Sequence, residues 1–105
     1  MKENDYNILK ELADALREKF PEAEILAFGS RVRGDASESS DLDVCIVVGR
    51  LNEDIDKSII DIAWETGFKH DLVISTVTYA KNDFENGSVS DSPFVKSIRR
   101  SGIAA

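Results

Sequence analysis

Two aspartates separated by one leucine, Asp41-Leu42-Asp43, run directly into Val44-Cys45-Ile46-Val47-Val48. Five apolar residues in a row read as a buried strand. Carboxylates at the mouth of such a strand lose hydration at a cost that only a cation or a hydrogen-bonding partner offsets. Alternation places Asp41, Asp43 and Cys45 on one face and Leu42, Val44, Ile46 and Val48 on the other. The second face is wholly apolar and requires helices against it. The first must open to solvent or to a ligand at its acidic end.

The flanking segments supply those helices. Leu9, Leu12, Ala13, Leu16 and Phe20 recur at helical spacing, which predicts an amphipathic helix over residues 5–20, capped by Asn4 or Asp5 and ended by Pro21. Residues 24–28 (EILAF) form a first strand. Gly29-Ser30 breaks it, and residues 30–34 make one helical turn whose N-terminus faces the strand end. Its amides offer an anion site, with Gly29 permitting close approach and the Ser30 hydroxyl adding a donor. Residues 35–40 read as loop. A second helix spans 51–66 through Leu51, Ile55, Ile59, Ile62 and Ala63, with Gly67 as its stop.

Residues 68–77 hold a third strand, with Asp71, Val73 and Ser75 on one face and Leu72, Ile74 and Thr76 on the other. Residues 78–84 are a turn or short helix and 85–91 a loop. Ser92-Pro93 opens a last helix through Arg99 or Arg100, with Phe94, Val95 and Ile98 inward. Gly102 then releases a small apolar tail. The expected architecture is α+β, an α/β-type mixed sheet of three or more strands with helices packed mainly on one face. All of it fits one domain, residues 1–105.

Charge narrows the function. The chain holds 13 basic and 20 acidic side chains, a net charge of −7. Such a surface does not attract a nucleic-acid backbone or an anionic membrane over distance, whereas a cationic partner protein or a metal-chelated anion suits it. The single cysteine, Cys45, leaves no intrachain disulfide, and no zinc-like spacing surrounds the one histidine, His70. The N-terminus carries no apolar leader-like run, so the expected compartment is the cytoplasm.

If the two acid-bearing strands are neighbours about 4.8 Å apart, with same-face residues roughly 6.6 Å apart along each, then Asp41, Asp43 and Asp71 converge. Three carboxylates in that arrangement suit a pair of divalent ions about 3.5–4 Å apart, the spacing used for displacement at phosphorus. Other reactive-looking residues have plainer roles. Asp35 and Glu38 read as solvated loop acids, His70 alternates to the other face, and Cys45 reads as a small buried apolar residue.

Gly29-Ser30, ten residues, then Asp41-Leu42-Asp43 resembles the signature of the polymerase-β-like nucleotidyltransferase superfamily. The fuller run GSRVRGDASESSDLDV resembles its minimal nucleotidyltransferases (MNT proteins), and the likeness covers nearly the whole chain. The resemblance implies the nucleotidyltransferase fold. It implies that Gly29 and Ser30 hold the terminal phosphates of ATP, aided by Arg31 or Arg33. Asp41, Asp43 and Asp71 would bind two Mg²⁺ ions, with Asp71 also helping to deprotonate the attacking hydroxyl.

MNT proteins of this size commonly act as antitoxins, transferring AMP from ATP to a tyrosine of a HEPN-domain ribonuclease toxin. The expectation is therefore a protein adenylyltransferase assembled with that toxin as a hetero-oligomer. An adenylyltransferase acting on a small molecule such as an aminoglycoside is the alternative enzyme. A non-catalytic antitoxin that blocks its partner sterically is the alternative binding module.

Overall fold

The computed structural model describes all 105 residues. Helix α1 (Glu3–Lys19) leads into strand β1 (Glu24–Phe28), the short helix α2 (Ser30–Arg33) and strand β2 (Leu42–Val48). Helix α3 (Glu53–Lys69), strand β3 (Ile74–Ala80), helix α4 (Lys81–Asn86), a 3-10 turn (Ser88–Asp91), helix α5 (Pro93–Ser101) and strand β4 (Ile103–Ala104) follow. The sheet order is β3-β2-β1-β4, with β1 antiparallel to both its neighbours and β2 parallel to β3. This is the expected α+β mixed sheet. The apolar tail is its fourth strand, because Ile103 and Ala104 find the free edge of β1.

The alternation in β2 builds two cores. Leu42, Val44, Ile46 and Val48 pack with Ile25 and Ala27 of β1 under Leu9, Leu12 and Leu16 of α1 and Ile59 and Ala63 of α3. On the opposite face Cys45 and Val47 meet Phe84 of α4 and Val95 and Ile98 of α5. The two long helices therefore lie on one face, and the short C-terminal ones cover part of the other. No helix is long and apolar enough to cross a membrane.

Helix α3 departs from expectation at its end. Gly67 does not stop it. The residue lies inside the last turn, where a Cβ would collide with the Leu72 carbonyl oxygen and sit 3.4 Å from the Ile74 side chain. Two more residues of helix follow, and the chain then closes with a paired cap. The Leu72 amide donates to the Gly67 carbonyl at 2.9 Å and the Asp71 amide to the Phe68 carbonyl at 3.3 Å. In that six-residue closure the penultimate residue must take a left-handed backbone. Asp71 does so, with φ +51°, the only non-glycine with positive φ in the chain. Asp71→Gly is thus expected to stabilise the protein by about 0.5–1 kcal/mol, because glycine enters this conformation without the Cβ penalty. Urea unfolding of the two proteins checks the sign.

Cys45 is fully buried, and burial pushes its thiol up from about 9 to about 12, with the Glu24 carboxylate adding to the rise. Burial, then Cys45 itself, also raises the Tyr79 phenol. Both acids hold their protons longer when folded. The unfolded chain alone is stabilised by ionisation once the pH passes the unfolded values, so stability falls as pH rises above about 9. At pH 10 the thiol contributes on the order of 1 kcal/mol to that loss. Cys45→Ala should remove that part of the decline in denaturation midpoints measured between pH 8 and 10.

Candidate active site

The two halves of the site meet where β1 ends and β2 begins. Phe28 pairs with Asp43 across the antiparallel ladder, so the turn after Phe28 lands beside the acid. Gly29 makes this possible through its backbone, at φ +84° and ψ −159°, a region nearly closed to side-chain-bearing residues. A Cβ at Gly29 would collide with Asp43 Oδ2 and lie 3.3 Å from its Cγ. Gly29→Ala should therefore cost about 1–2 kcal/mol in chemical denaturation and displace the Asp43 carboxylate with a loss of activity.

After Gly29 the chain makes the short helix α2, tied at its start by the Val32 and Arg33 amides donating to the Gly29 carbonyl at 3.1 and 3.0 Å. Gly34, at φ +86°, ends it. A cavity of about 440 Å³ opens in front of this turn. Gly29, Ser30, Arg33 and Asp43 line it from the β1–β2 side, and Phe94, Ser97 and Ser101 line it from α5. Phe94 stands edge-on to Phe28, ring centroids 5.4 Å apart, which sets the angle of this wall.

Asp43 is half-buried at the cavity floor and Asp41 is exposed beside it on the same face. Burial raises the Asp43 carboxyl above its ordinary value, the Asp41 carboxylate raises it further, and Arg33 opposes both. Two adjacent oxygen donors, one of them poorly hydrated and repelled by the other, fit a hard divalent cation. Bound there, such an ion would neutralise the charge of a triphosphate.

Two other expected participants lie elsewhere. Asp71 is not on β3 at all, since the strand begins at Ile74 and Asp71 caps α3. In the parallel register the residue beside Asp43 is Ser75, and no three His, Cys, Asp or Glu side chains converge to hold a metal. Strand alternation does not reach Asp71, because residues 68–73 are the end of α3, its cap and a turn rather than strand.

Arg31 also faces away from the cavity. Its Nη1 pairs with Asp5 Oδ1 of α1 at 2.9 Å, its Nε donates to the Ser40 carbonyl at 2.8 Å, and its Nη2 donates to the Glu38 carbonyl at 2.9 Å. Asp5 is buried by this pair rather than capping α1. Of the two arginines, only Arg33 lines the cavity.

His70 is a surface residue as expected, though from the C-cap of α3 rather than from a strand, with Nε2 3.1 Å from Glu11 Oε2, and Cys45 is a buried core residue as its type indicated. Sequence reasoning missed Ser97 and Ser101. Their signal was the spacing Phe94, Ser97, Ser101, a second stripe on α5 beside the Val95/Ile98 stripe that faces the core.

Residues 9–103 match the family profile described as nucleotidyltransferase domain. Two candidate protein adenylyltransferases of Methanocaldococcus jannaschii, MJ0141 and MJ0604, are similar in sequence. The first is 37% identical over 73 residues, 69% of this chain and 72% of the relative. The second is 31% identical over 83 residues, 77% of this chain and 79% of the relative. A candidate nucleotidyltransferase from Sulfolobus solfataricus superposes over 97% of this chain and 82% of its own, with a TM-score of 0.52 at 17% identity, a likeness of fold. With a glycine-serine turn set against an aspartate pair, and a family match over nearly its whole length, the chain belongs to the nucleotidyltransferase family as a minimal nucleotidyltransferase enzyme.

Proposed function

We propose that this enzyme transfers AMP from Mg²⁺-bound ATP to a tyrosine hydroxyl of a partner protein, a HEPN-domain ribonuclease toxin, and so acts as its antitoxin in the cytoplasm. The observation that carries the reading is the single cavity shared by Gly29, Ser30, Arg33 and Asp43. In it, Gly29 and Ser30 would receive the terminal phosphates, while Asp41 and Asp43 would hold two Mg²⁺ ions. The acceptor oxygen attacks the α-phosphorus and forms the new P–O bond as the bond to the bridging oxygen breaks. Pyrophosphate leaves, and the hydroxyl proton passes to water at the open mouth. Catalysis rests on placement and on neutralising charge.

The size of the cavity supports a protein acceptor. About 440 Å³ suits one nucleotide-sized ligand, so the acceptor would approach from outside that cavity. The names of the two M. jannaschii relatives point the same way.

The test is co-expression with a HEPN partner, followed by intact mass spectrometry of that partner. Discrete adenylyl additions are expected with the native enzyme and none with Asp41→Ala/Asp43→Ala. A partner unmodified in both cases defeats the proposal. Neutralisation that survives the double substitution would instead establish steric blocking. Transfer of label from ATP to an aminoglycoside by the isolated chain would establish the small-molecule reading.

A further inference from the structure

Strand β3 is outermost in the sheet, and nothing on it discourages a further strand. Its seven residues, Ile74–Ala80, contain no proline, glycine or charge, the devices by which edge strands usually avoid pairing. The Leu42 amide donates to the Val73 carbonyl at 2.9 Å, which fixes the phase of the ladder with β2. Odd-numbered residues of β3 therefore turn their backbone groups inward, and Ile74, Thr76 and Thr78 present theirs at the free edge.

The same edge carries most of the exposed apolar surface. Six large apolar residues are substantially exposed, and four of them gather here: Ile60 (49%), Trp64 (65%), Phe68 (73%) and Val73 (63%). Trp64 and Phe68 are stacked, centroids 5.1 Å apart and planes 15° apart, so they are already ordered. Between them and the strand runs an open groove of about 460 Å³. A contiguous patch of this kind marks an interaction surface.

We infer that this edge is the interface between two copies of the chain, β3 pairing antiparallel with β3 of a second copy and the two α3 helices meeting over the seam. A two-fold axis perpendicular to the sheet is the closed arrangement that pairs one strand edge with itself. It keeps both α3 helices on one face, so the Trp64/Phe68 stacks cover each other and fill both grooves. Charge agrees with self-association at this point. The chain is strongly acidic overall, but β3 is preceded by Asp71 and followed by Lys81, and antiparallel pairing sets the acid of one copy toward the lysine of the other. The four rings would bury roughly 600 Å². That is about half of what the smaller stable interfaces bury, with Ile60, Val73 and the strands themselves supplying the remainder.

Trp64 is the only tryptophan, so its fluorescence reports this surface alone. Sedimentation equilibrium of the purified chain at micromolar concentrations should give the mass of two copies. Trp64 emission should be blue-shifted and shielded from iodide, and should move to the red on dilution in step with dissociation. Trp64→Lys should weaken the dimer about a hundredfold or more, and Thr76→Pro, which removes an outward amide, should yield a monomer. Far-UV spectra verify the fold of each, and Trp64→Lys decides the matter if the proline variant misfolds.

A chain that stays monomeric with Trp64 open to iodide at every concentration overturns the inference. So does a dimer indifferent to Trp64→Lys, or a monomer whose Trp64 becomes shielded only when a different protein is added.

Discussion

Asp43→Asn is expected to slow nucleotidyl transfer about a thousandfold or more while leaving the chain folded and slightly more resistant to heat. Asparagine keeps the shape of the cavity floor but removes the charge that would hold a cation against the phosphates. Such charge stabilisation in a transition state is worth several kcal/mol, and about 4 kcal/mol corresponds to a factor of a thousand. The gain in stability follows from the displaced carboxyl. Burial and Asp41 make the Asp43 carboxylate less favourable in the folded chain than in the unfolded one, so a neutral side chain relieves the fold at pH 7. That advantage should disappear as the pH falls below the unfolded carboxyl value, where the native side chain is protonated in both states. Single-turnover transfer from labelled ATP checks the rate, and calorimetry without metal between pH 3 and 7 checks the sign. A variant within tenfold of the native rate would remove Asp43 from cation binding.

Arg31→Ala is expected to damage stability rather than nucleotide affinity. The guanidinium and Asp5 are about nine-tenths buried as side chains (11% and 7% exposed), and the same guanidinium ties down the Ser40 and Glu38 carbonyls. Removing it leaves a buried carboxylate without its partner, which costs about 3 kcal/mol, or roughly 12–20 °C in Tm. Asp5→Ala/Arg31→Ala should lose less than Arg31→Ala alone, because no unpaired charge remains. Thermal unfolding of the three variants, with the KM for ATP at a temperature where all are folded, separates the possibilities. An unchanged Tm with a tenfold higher KM would return Arg31 to the triphosphate.

The legible parts of the sequence were those governed by short-range rules. The five-residue apolar run fixed β2 and its two faces, and Ser92-Pro93 opened α5, where Ser92 Oγ accepts from the Val95 amide at 3.1 Å. Gly29-Ser30 marked the turn that the backbone then made with left-handed geometry. What escaped depended on tertiary context. Nothing local distinguishes Asp71 in a strand from Asp71 closing a helix, because aspartate tolerates the left-handed conformation almost as unobtrusively as it begins a strand. Arg31 and Arg33 are equivalent in the motif. Only the packing of α1 against the loop assigns one to Asp5 and leaves the other at the cavity. Strand β4 is too short to announce itself by alternation and exists because β1 has an edge to offer.

The cavity draws its walls from segments that open under different conditions. Its floor and the Gly29-Ser30 turn lie within residues 28–43, pinned by the two central strands, whereas the opposite wall is the nine-residue α5, held by Val95, Ile98 and the Phe28–Phe94 contact. A helix of that length does not persist without its docking contacts. Its amides should exchange with solvent through partial openings well below the free energy of global unfolding. Each such opening turns the cavity into a cleft without disturbing Asp41 or Asp43, so nucleotide can enter and pyrophosphate can depart past a yielding wall and a fixed floor.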